Sequence, residues 1–386
     1  MTTGRFALTG ARIFDGEHWH DGSAVVVNDG LVEGVIGEEF PTDMPRVSLP
    51  GGMLVPGFVD LQVNGAGGTL FNDTPTPDGI RTICAALPRF GVTACLPTLI
   101  TDTTDIMDSA VEAGIAAAGQ EIPGFLGLHL EGPHLSLARK GAHDSAHIRP
   151  FSENDLQRLI HARESVPCVL ATVAAEVVSP DQIAEIAAAG IVVSIGHSDA
   201  SYDTIVEAVS AGARMVTHLF NAQRQMGSRE PGVVGAALDL GDLSAGIIAD
   251  GIHVHPASLA SAIRAKRGPG RIFLVTDAMS PIGTEIEQFT LNGRTIVRRE
   301  GALRLADGTL AGADLTMIDA VRFVHHALGL DLSEALRMAA LYPAEVMGIA
   351  DRYGHLRRGA RADMVLLDDD LSVRTTWIGG EEIFAA

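Results

Sequence analysis

Eight short apolar runs recur along the middle of this chain, and they constrain its fold more than any other feature. Most are apolar on both alternating faces, as expected for strands buried on both sides of a sheet. Alanine-rich stretches of helical length lie between them. This alternation predicts a (β/α)8 barrel; a doubly wound open sheet is the alternative, but the number of strands and the chain length favour the barrel. The runs span residues 53–61, 92–99, 125–130, 168–174, 191–195, 215–219, 245–249 and 272–275.

The two ends of the chain are typical of short strands instead. Near the N-terminus, Asn28-Asp29-Gly30 predicts a hairpin turn. We therefore expect residues 1–55 plus 356–386 to form a small β-sandwich domain, and residues 56–355 to form the barrel. The strands predicted for the small domain span residues 5–14, 23–28, 31–36, 363–367, 373–378 and 381–384. The helices predicted for the barrel span residues 77–90, 103–118, 153–164, 180–189, 202–211, 255–266, 313–328 and 332–347.

Charge and cysteine content narrow the function classes. The formal net charge of −20 argues against a nucleic-acid partner and requires local cations for any anionic substrate. The three cysteines show no C-x-x-C pairing, which predicts reduced thiols. Because neither a signal peptide nor a membrane span is recognisable, we expect a cytoplasmic protein without a membrane partner.

Polar residues follow several of the predicted strands. Glu131 ends the strand of "LHLEGPH", and His197 and His218 follow those of "SIGHSD" and "VTHLFNA". A lone histidine at a strand end is more often structural than a ligand. The carboxyl ends of barrel strands converge, however, so these three side chains predict a catalytic site for zinc or a similar ion. Asp277, in "VTDAM", would then be placed as a general base.

Two carboxamides follow the first barrel strand, in "VDLQVNG". Gln62 and Asn64 are separated by one residue, so they share a face of the strand. Amides are much poorer metal ligands than the histidines that enzymes often place at such a pair of positions. The pair indicates either a metal site that has lost part of its ligands or one built for a single ion.

Eight stretches in order resemble the amidohydrolase superfamily and, within it, the N-acetylglucosamine-6-phosphate deacetylase family. The resemblance runs from about residue 50 to the C-terminus, and the eight stretches together are far more specific than any one of them. They are "PGFVDLQVNG", "GLHLEGPHLSLARKGAHD", "SIGHSDASY", "VTHLFNA", "GSREPGVVGAAL", "ADGIHVH", "LVTDAMSP" and "LAGADLTM".

The resemblance implies a function and a set of site residues. Gln62 and Asn64 match a family variant that lines a site for one divalent ion, with Glu131, His197 and His218 as ligands. The implied ion is zinc, with iron, manganese and cobalt as alternatives. The implied reaction removes acetate from N-acetyl-D-glucosamine 6-phosphate, with Asp277 as catalytic base and acid and His253 near the substrate carbonyl. The remaining implied substrate contacts are Ala142, His143, Asn221, Ala222, Arg229 for the phosphate, Leu310, Ala311 and Gly312.

Some alternatives stay open at the level of sequence. Arg224 competes with Arg229 for the phosphate. In the family, the position of His143 can reach the site of a neighbouring subunit, which implies a homodimer with the site near the interface. The substrate could instead be N-acetylgalactosamine 6-phosphate, a cyclic amide or an N-acylated amino acid. A non-catalytic scaffold is the third reading, but a scaffold has no reason to keep Glu131, His197, His218 and Asp277 together.

Overall fold

The computed structural model describes residues 4–37 and 44–386. The chain divides into two compact units. The first contains the described residues up to Asp60 together with Leu87–Ala94 and Met317–Ala386, and the second contains Leu61–Ala86 and Cys95–Thr316. The domain boundaries expected from the sequence, 55/56 and 355/356, stay a prediction.

Two β-sheets form a sandwich in the first unit, and they draw strands from both ends of the chain, as predicted. The four-stranded sheet has the strand order Leu31–Gly37, Ser23–Asn28, Arg5–Thr9, Arg46–Ser48. The six-stranded sheet has the order Glu381–Ala385, Val373–Ile378, Met364–Leu367, Met53–Pro56, Arg12–Phe14, Trp19–His20. Buried apolar side chains from both sheets share one core, which includes Phe6, Leu8, Val25, Ile13, Leu54, Met364 and Trp377.

The predicted hairpin turn is confirmed. Asp29 and Gly30 have φ angles of 47° and 79°, so both central residues are left-handed, as a type I′ turn requires. Strand Ser23–Asn28 then pairs antiparallel with Leu31–Gly37. The single strand predicted over residues 5–14 is in fact two, Arg5–Thr9 and Arg12–Phe14, which lie in different sheets.

The prediction of one strand over residues 53–61 is also wrong. Met53–Pro56 belongs to the six-stranded sheet, whereas Phe58–Val63 is the first barrel strand. Gly57 lies between them, and a Cβ there would be only 2.1 Å from Thr93 Oγ1. Apolar periodicity cannot reveal this change of sheet, because both halves of the run are equally buried.

The barrel sheet contains eight described strands, each adjacent to its neighbour in the chain. Val63 forms a parallel bridge with Ala278, so the first strand meets the segment that follows the last, and the sheet nearly closes. This confirms the predicted (β/α)8 class. The strands are Phe58–Val63, Val92–Ile100, Gly127–Glu131, Cys168–Val173, Val192–Ile195, Met215–Val216, Ser244–Ile247 and Ile272–Leu274.

Most predicted helices occur within a few residues of their expected bounds, but the single helix predicted over 332–347 is two helices that break at Ala340, where φ is −129°. One was missed, Gly232–Asp239, because "GVVGAALD" has almost no polar face to show a helical period. The α-helices are Pro77–Ala86, Thr104–Gly119, Glu153–Ser165, Pro180–Ala188, Tyr202–Ser210, Gly232–Asp239, Pro256–Ala265, Met317–Arg322, Leu332–Ala339 and Leu341–Val346. Short 3₁₀ turns occur at Pro88–Phe90 and Leu137–Arg139, and a π-helical turn at Phe323–Ala327.

An antiparallel four-stranded sheet follows the last barrel strand, where the sequence analysis predicted none. Its strands are Gln288–Leu291, Arg294–Arg299, Ala302–Arg304 and Leu310–Ala313. The signal was present in the sequence, because Asn292-Gly293 is a hairpin dipeptide with φ angles of 47° and 72°. The last of these strands occupies the start of the helix predicted over 313–328, which begins instead at Met317.

Asp155 anchors the helix that follows the third barrel strand, and its loss should destabilise the protein. The buried carboxylate accepts two hydrogen bonds of 2.6 Å from Arg149 and others from Ser152. Since Asp155→Asn leaves Arg149 without its charge partner, we expect a loss of about 2–3 kcal/mol in the free energy of unfolding, at the low end for buried pairs because Arg149 is partly exposed. Urea denaturation at pH 7 measures this loss.

The pH dependence of that effect has a definite sign. Burial alone would raise the pKa of Asp155, but hydrogen bonds from Arg149 and Ser152 outweigh it and hold the pKa well below its usual range. The stabilisation is therefore complete above the unfolded pKa of about 3.9 and is lost as the pH falls towards the folded pKa. Wild type and Asp155→Asn should converge in stability in strong acid; a gap that stays constant from pH 7 to pH 2 would contradict this account.

No helix in residues 4–37 or 44–386 combines the length and apolar character that crossing a membrane requires. The three cysteines are buried. Cys84 Sγ and Cys95 Sγ lie 3.7 Å apart, farther than the roughly 2.05 Å of a disulfide bond.

Candidate active site

The four residues predicted to carry the chemistry meet at one end of the barrel. Glu131 is the last residue of strand Gly127–Glu131, and His197, His218 and Asp277 follow three other strands directly. Because all the strands are parallel, their carboxyl ends lie on one side of the sheet. All four side chains are buried or nearly so.

Three of these residues have a strained backbone. The φ angles of His197, His218 and Asp277 are 48°, 29° and 52°, in the left-handed region that residues other than glycine rarely adopt. Such conformations cost of order 1–3 kcal/mol each and persist only where surrounding contacts hold them. For Asp277, the backbone N–H donates to Gln62 O at 3.0 Å and the carbonyl accepts from Ala313 N at 2.8 Å. Strain of this kind clusters at functional sites.

One oxygen and two nitrogens form a compact triangle. Glu131 Oε1 lies 3.3 Å from His197 Nε2 and 3.1 Å from His218 Nε2, and the two Nε2 atoms are 3.1 Å apart. Ligands held about 2.0–2.1 Å from a tetrahedral ion are separated by roughly 3.3–3.4 Å. The triangle therefore has the dimensions and the donor set of a metal centre with three protein ligands.

His143 offers an alternative third ligand. Ligand atoms of Glu131, His143 and His197 all lie within 4.8 Å of one another, so this buried group could also hold an ion. We favour His218, because His143 Nε2 is 4.0 Å from Glu131 Oε2. In addition, Thr101 holds the His143 ring through Nδ1, with its hydroxyl oxygen at 2.7 Å and its backbone nitrogen at 3.3 Å.

The amides of Gln62 and Asn64 face the two acids of the site. Asn64 Nδ2 lies 2.6 Å from Asp277 Oδ1, and Gln62 Nε2 lies 3.1 Å from the same oxygen. Gln62 Nε2 is also 3.3 Å from each carboxylate oxygen of Glu131. N–H groups thus occupy positions around the acids where a second cation would otherwise balance their charge. This arrangement favours a site built for one ion.

The surroundings of Asp277 and Glu131 shift the pKa values of these two carboxyl groups in opposite directions. Burial and the negative charge of Glu131 raise the pKa of Asp277 to about 6. Burial would also raise the pKa of Glu131, but hydrogen bonds from His197 and His218 outweigh it and hold that pKa well below its usual value. Two carboxyl groups whose pKa values are pushed apart are typical of sites where one is a fixed anion and the other exchanges protons.

His253 is held in place by Asp250. Asp250 Oδ2 lies 2.6 Å from His253 Nδ1, and Asp250 Oδ1 accepts the backbone N–H groups of Ile252 and His253. Because Nδ1 is used in this way, Nε2 is left for contacts in the cavity that His253 lines. Asp250 is thereby an orienting residue for His253.

A cavity of about 320 Å³ joins these groups, within the range of small-molecule sites. The structure brings most of the predicted site residues to its wall, and Gln62 lies just behind them. Arg229 is exposed and lies outside this wall, and Arg224 pairs with Asp199 at 3.0 Å instead of lining the cavity. The predicted residues on the wall are Asn64, Glu131, Ala142, His143, His197, His218, Asn221, Ala222, His253, Asp277, Leu310, Ala311 and Gly312.

Several wall residues were missed by the sequence analysis. Arg139 and Gly141 lie within a stretch that carries the resemblance, but nothing in their spacing marked them as part of a site. Leu291 ends one strand of the unpredicted four-stranded sheet and Thr309 precedes another, so both were missed together with that sheet.

The fold and the site together define a class: barrel enzymes that gather a candidate metal centre and an acid at the carboxyl ends of their strands. A family model described as the amidohydrolase family matches residues 53–383, and one described as the NagA composite domain matches residues 5–54. The chain belongs to the amidohydrolase family.

Its relatives share nearly the whole chain. An N-acetylgalactosamine-6-phosphate deacetylase of Shewanella sp. (strain ANA-3) is 42% identical, over 98% of this chain and 95% of that protein. The N-acetylglucosamine-6-phosphate deacetylase of Homo sapiens is 36% identical, over 98% and 94%. The crystal structure of N-acetylglucosamine-6-phosphate deacetylase from Pasteurella multocida superimposes with a TM-score of 0.94 at 34% identity, over 99% of this chain and all of that one.

Proposed function

We propose that this protein removes acetate from N-acetyl-D-glucosamine 6-phosphate to give D-glucosamine 6-phosphate. The observation that carries the proposal is the triangle of Glu131 Oε1, His197 Nε2 and His218 Nε2, next to the restrained carboxylate of Asp277. Relatives with 6-phosphorylated N-acetyl amino sugars in their names align over nearly the whole chain, which supports this substrate class.

Glu131, His197 and His218 would hold one divalent ion per subunit, and zinc suits their mixed nitrogen and oxygen donors; iron, manganese and cobalt are tolerated by the same set. Such an ion supplies Lewis acidity and lowers the pKa of water towards about 7, which makes a nucleophile available at neutral pH. Glu131 stays ionised in this role, in agreement with its lowered pKa.

Asp277 is the proposed proton carrier. Asn64 and Gln62 occupy its Oδ1, so Oδ2 is left to accept a proton from the attacking water. The same carboxyl group would return the proton to the nitrogen as the C–N bond breaks and the amine leaves. His253, oriented by Asp250, would stabilise the negative charge that develops on the carbonyl oxygen. His143 and the backbone around Ala142, Asn221, Ala222 and Leu310–Gly312 would position the sugar.

Selectivity for the phosphate tests this function. With the zinc-loaded enzyme, we expect kcat/KM for N-acetylglucosamine 6-phosphate to exceed that for N-acetylglucosamine by about 10²–10⁴. Two or so charge-assisted hydrogen bonds to the phosphate, of roughly 1.5–3 kcal/mol each, account for this range. Acetate release measures both rates. A preference for the unphosphorylated sugar would refute the proposed substrate.

A second candidate substrate is N-acetylgalactosamine 6-phosphate, because the 42% identical relative carries that name. It differs only in the configuration at carbon 4. The same assay on both sugar phosphates decides between them, since the larger kcat/KM identifies the substrate for which the cavity is built. Absence of hydrolysis of both would direct attention to the other amides, or to a scaffold role.

We also propose a cytoplasmic homodimer with the site near the subunit interface. The buried thiols suit a reducing compartment. The dimer is proposed from the resemblance to a family in which the position of His143 can reach a neighbouring subunit; in this chain His143 Nε2 lies 4.0 Å from Glu131 Oε2. Arg229 is exposed and lies outside the cavity wall, so its contact with the phosphate stays a prediction.

A further inference from the structure

The loop formed by residues 136–143 wraps around His197. The backbone N–H of Ser136 donates to His197 O at 2.9 Å, and Arg139 O lies 2.9 Å from His197 Nδ1. Gly141 passes so close to the ring that a Cβ there would lie 3.3 Å from His197 Cε1. The loop therefore restrains both the backbone and the ring of this candidate ligand.

The carbonyl of Arg139 decides which nitrogen of His197 can bind an ion. A carbonyl oxygen only accepts hydrogen bonds, so His197 Nδ1 must carry a proton. In the neutral ring, Nε2 then has a free lone pair, and Nε2 is the atom that belongs to the triangle with Glu131 and His218. Partners of this kind fix the orientation of metal-binding histidines and raise their basicity.

Asp199 ties this loop to the strand end that carries His197. Asp199 lies two residues after His197, and its Oδ1 accepts a hydrogen bond of 2.8 Å from Arg139 Nε. Asp199 is itself anchored, because its backbone N–H donates to Glu176 Oε1 at 2.6 Å. Glu176 also accepts from Ser198 Oγ at 2.6 Å. Glu176, Ser198, Asp199 and Arg139 thus connect two neighbouring strand ends through the loop.

We propose that Asp199 is a positioning residue for the metal ligand His197, acting through Arg139. By holding the Arg139 side chain, Asp199 sets the carbonyl that accepts the Nδ1 proton of His197. The inference rests on the proposed metal-dependent function but not on the identity of the substrate. Ala142 and His143 lie on the same loop, so one ion pair adjusts the metal centre and part of the cavity wall together.

Zinc affinity separates this role from a contribution to stability. The side chains of Arg139 and Asp199 are 37% and 30% exposed, so their ion pair contributes little to stability. In zinc titrations of metal-depleted enzyme, we expect Asp199→Ala to raise the zinc Kd about 10–100-fold. Asp199→Asn keeps one acceptor oxygen, so its zinc Kd should lie between those of Asp199→Ala and wild type. The visible spectrum of the cobalt-substituted protein should change, because it reports ligand geometry.

Asp239→Ala is the matched control. Asp239 forms a comparably exposed ion pair with Arg267, also at 2.8 Å, and neither residue lines the cavity. Its replacement should therefore leave the zinc Kd and the cobalt spectrum unchanged. If Asp199→Ala does not fold, Asp199→Asn and Arg139→Gln carry the same test. The proposal is overturned if zinc affinity stays within twofold of wild type and the cobalt spectrum is unaltered.

A double-mutant cycle tests whether Asp199 acts through Arg139. Asp199→Ala combined with Arg139→Gln should weaken zinc binding no more than the stronger single variant, because both remove the same contact. Additive losses would overturn the proposed route through Arg139. Since none of these measurements uses a sugar, they stand apart from a failure of the proposed substrate.

Discussion

Asp277→Asn should lower kcat by about 10³–10⁴-fold while the enzyme still binds one zinc ion with near-normal affinity. The substituted amide can keep a hydrogen bond with Asn64, so the local geometry should survive. An amide cannot accept a proton from water at neutral pH, however, and it cannot protonate the leaving amine. Steady-state kinetics and metal analysis of the same preparation measure both effects.

Asp108→Asn is the control for this substitution. This substitution makes the same chemical change, from carboxylate to amide, on the exposed surface of helix Thr104–Gly119. Asp108 pairs there with Arg158. Its activity should match wild type. If Asp277→Asn kept near-normal turnover, Asp277 would have no part in proton transfer; if it lost its zinc, Asp277 would be a ligand instead.

His218→Ala should lower activity at least 10²-fold, because it removes a proposed ligand of the ion. A structural zinc site contributes roughly 10–16 kcal/mol in total, so one ligand of three or four contributes about 3–4 kcal/mol. We therefore expect zinc to bind about 10²–10³-fold more weakly, and turnover at ordinary zinc concentrations to fall at least as far. Wild-type enzyme treated with a chelator should lose activity and regain it when zinc is added back.

His161→Ala is the matched control, because His161 is an exposed histidine on helix Glu153–Ser165 that pairs with a surface acid, Glu112, at 3.0 Å. It should leave zinc affinity unchanged. Metal analysis should find one tightly held ion per chain. Two tightly held ions would contradict the single-ion site, and normal activity of His218→Ala would favour the group formed by Glu131, His143 and His197.

The prediction of one metal ion per chain depends on Gln62 and Asn64. Their amide N–H groups point at Glu131 and Asp277, where they offset negative charge without an ion. Replacing either amide by an acid would add negative charge beside two carboxyl groups. These contacts favour a site built for one ion over a metal site that has lost part of its ligands.

Much of the site could be predicted because parallel strands impose a simple rule. Glu131, His197, His218 and Asp277 each sit at the end of an apolar run, and the carboxyl ends of such runs converge in a barrel. The same rule could not predict how close His143 lies to the candidate metal ligands, because His143 belongs to a loop. Its Nε2 is 4.0 Å from Glu131 Oε2. The rule also gave no means of testing Arg229, whose exposed position depends on how the segment after His218 folds.

Local chemistry in the sequence determined the alternation of strands and helices, the Asn28-Asp29-Gly30 turn and the types of side chain available at the strand ends. Tertiary structure alone decided the change of sheet at Gly57, the triangle of ligand atoms and the contact of His197 Nδ1 with Arg139 O. The physical reason is the distance along the chain over which each effect acts. Periodicity and turn preference act over a few neighbouring residues, whereas a separation of 3.1 Å between atoms 21 positions apart depends on the packing of the whole barrel.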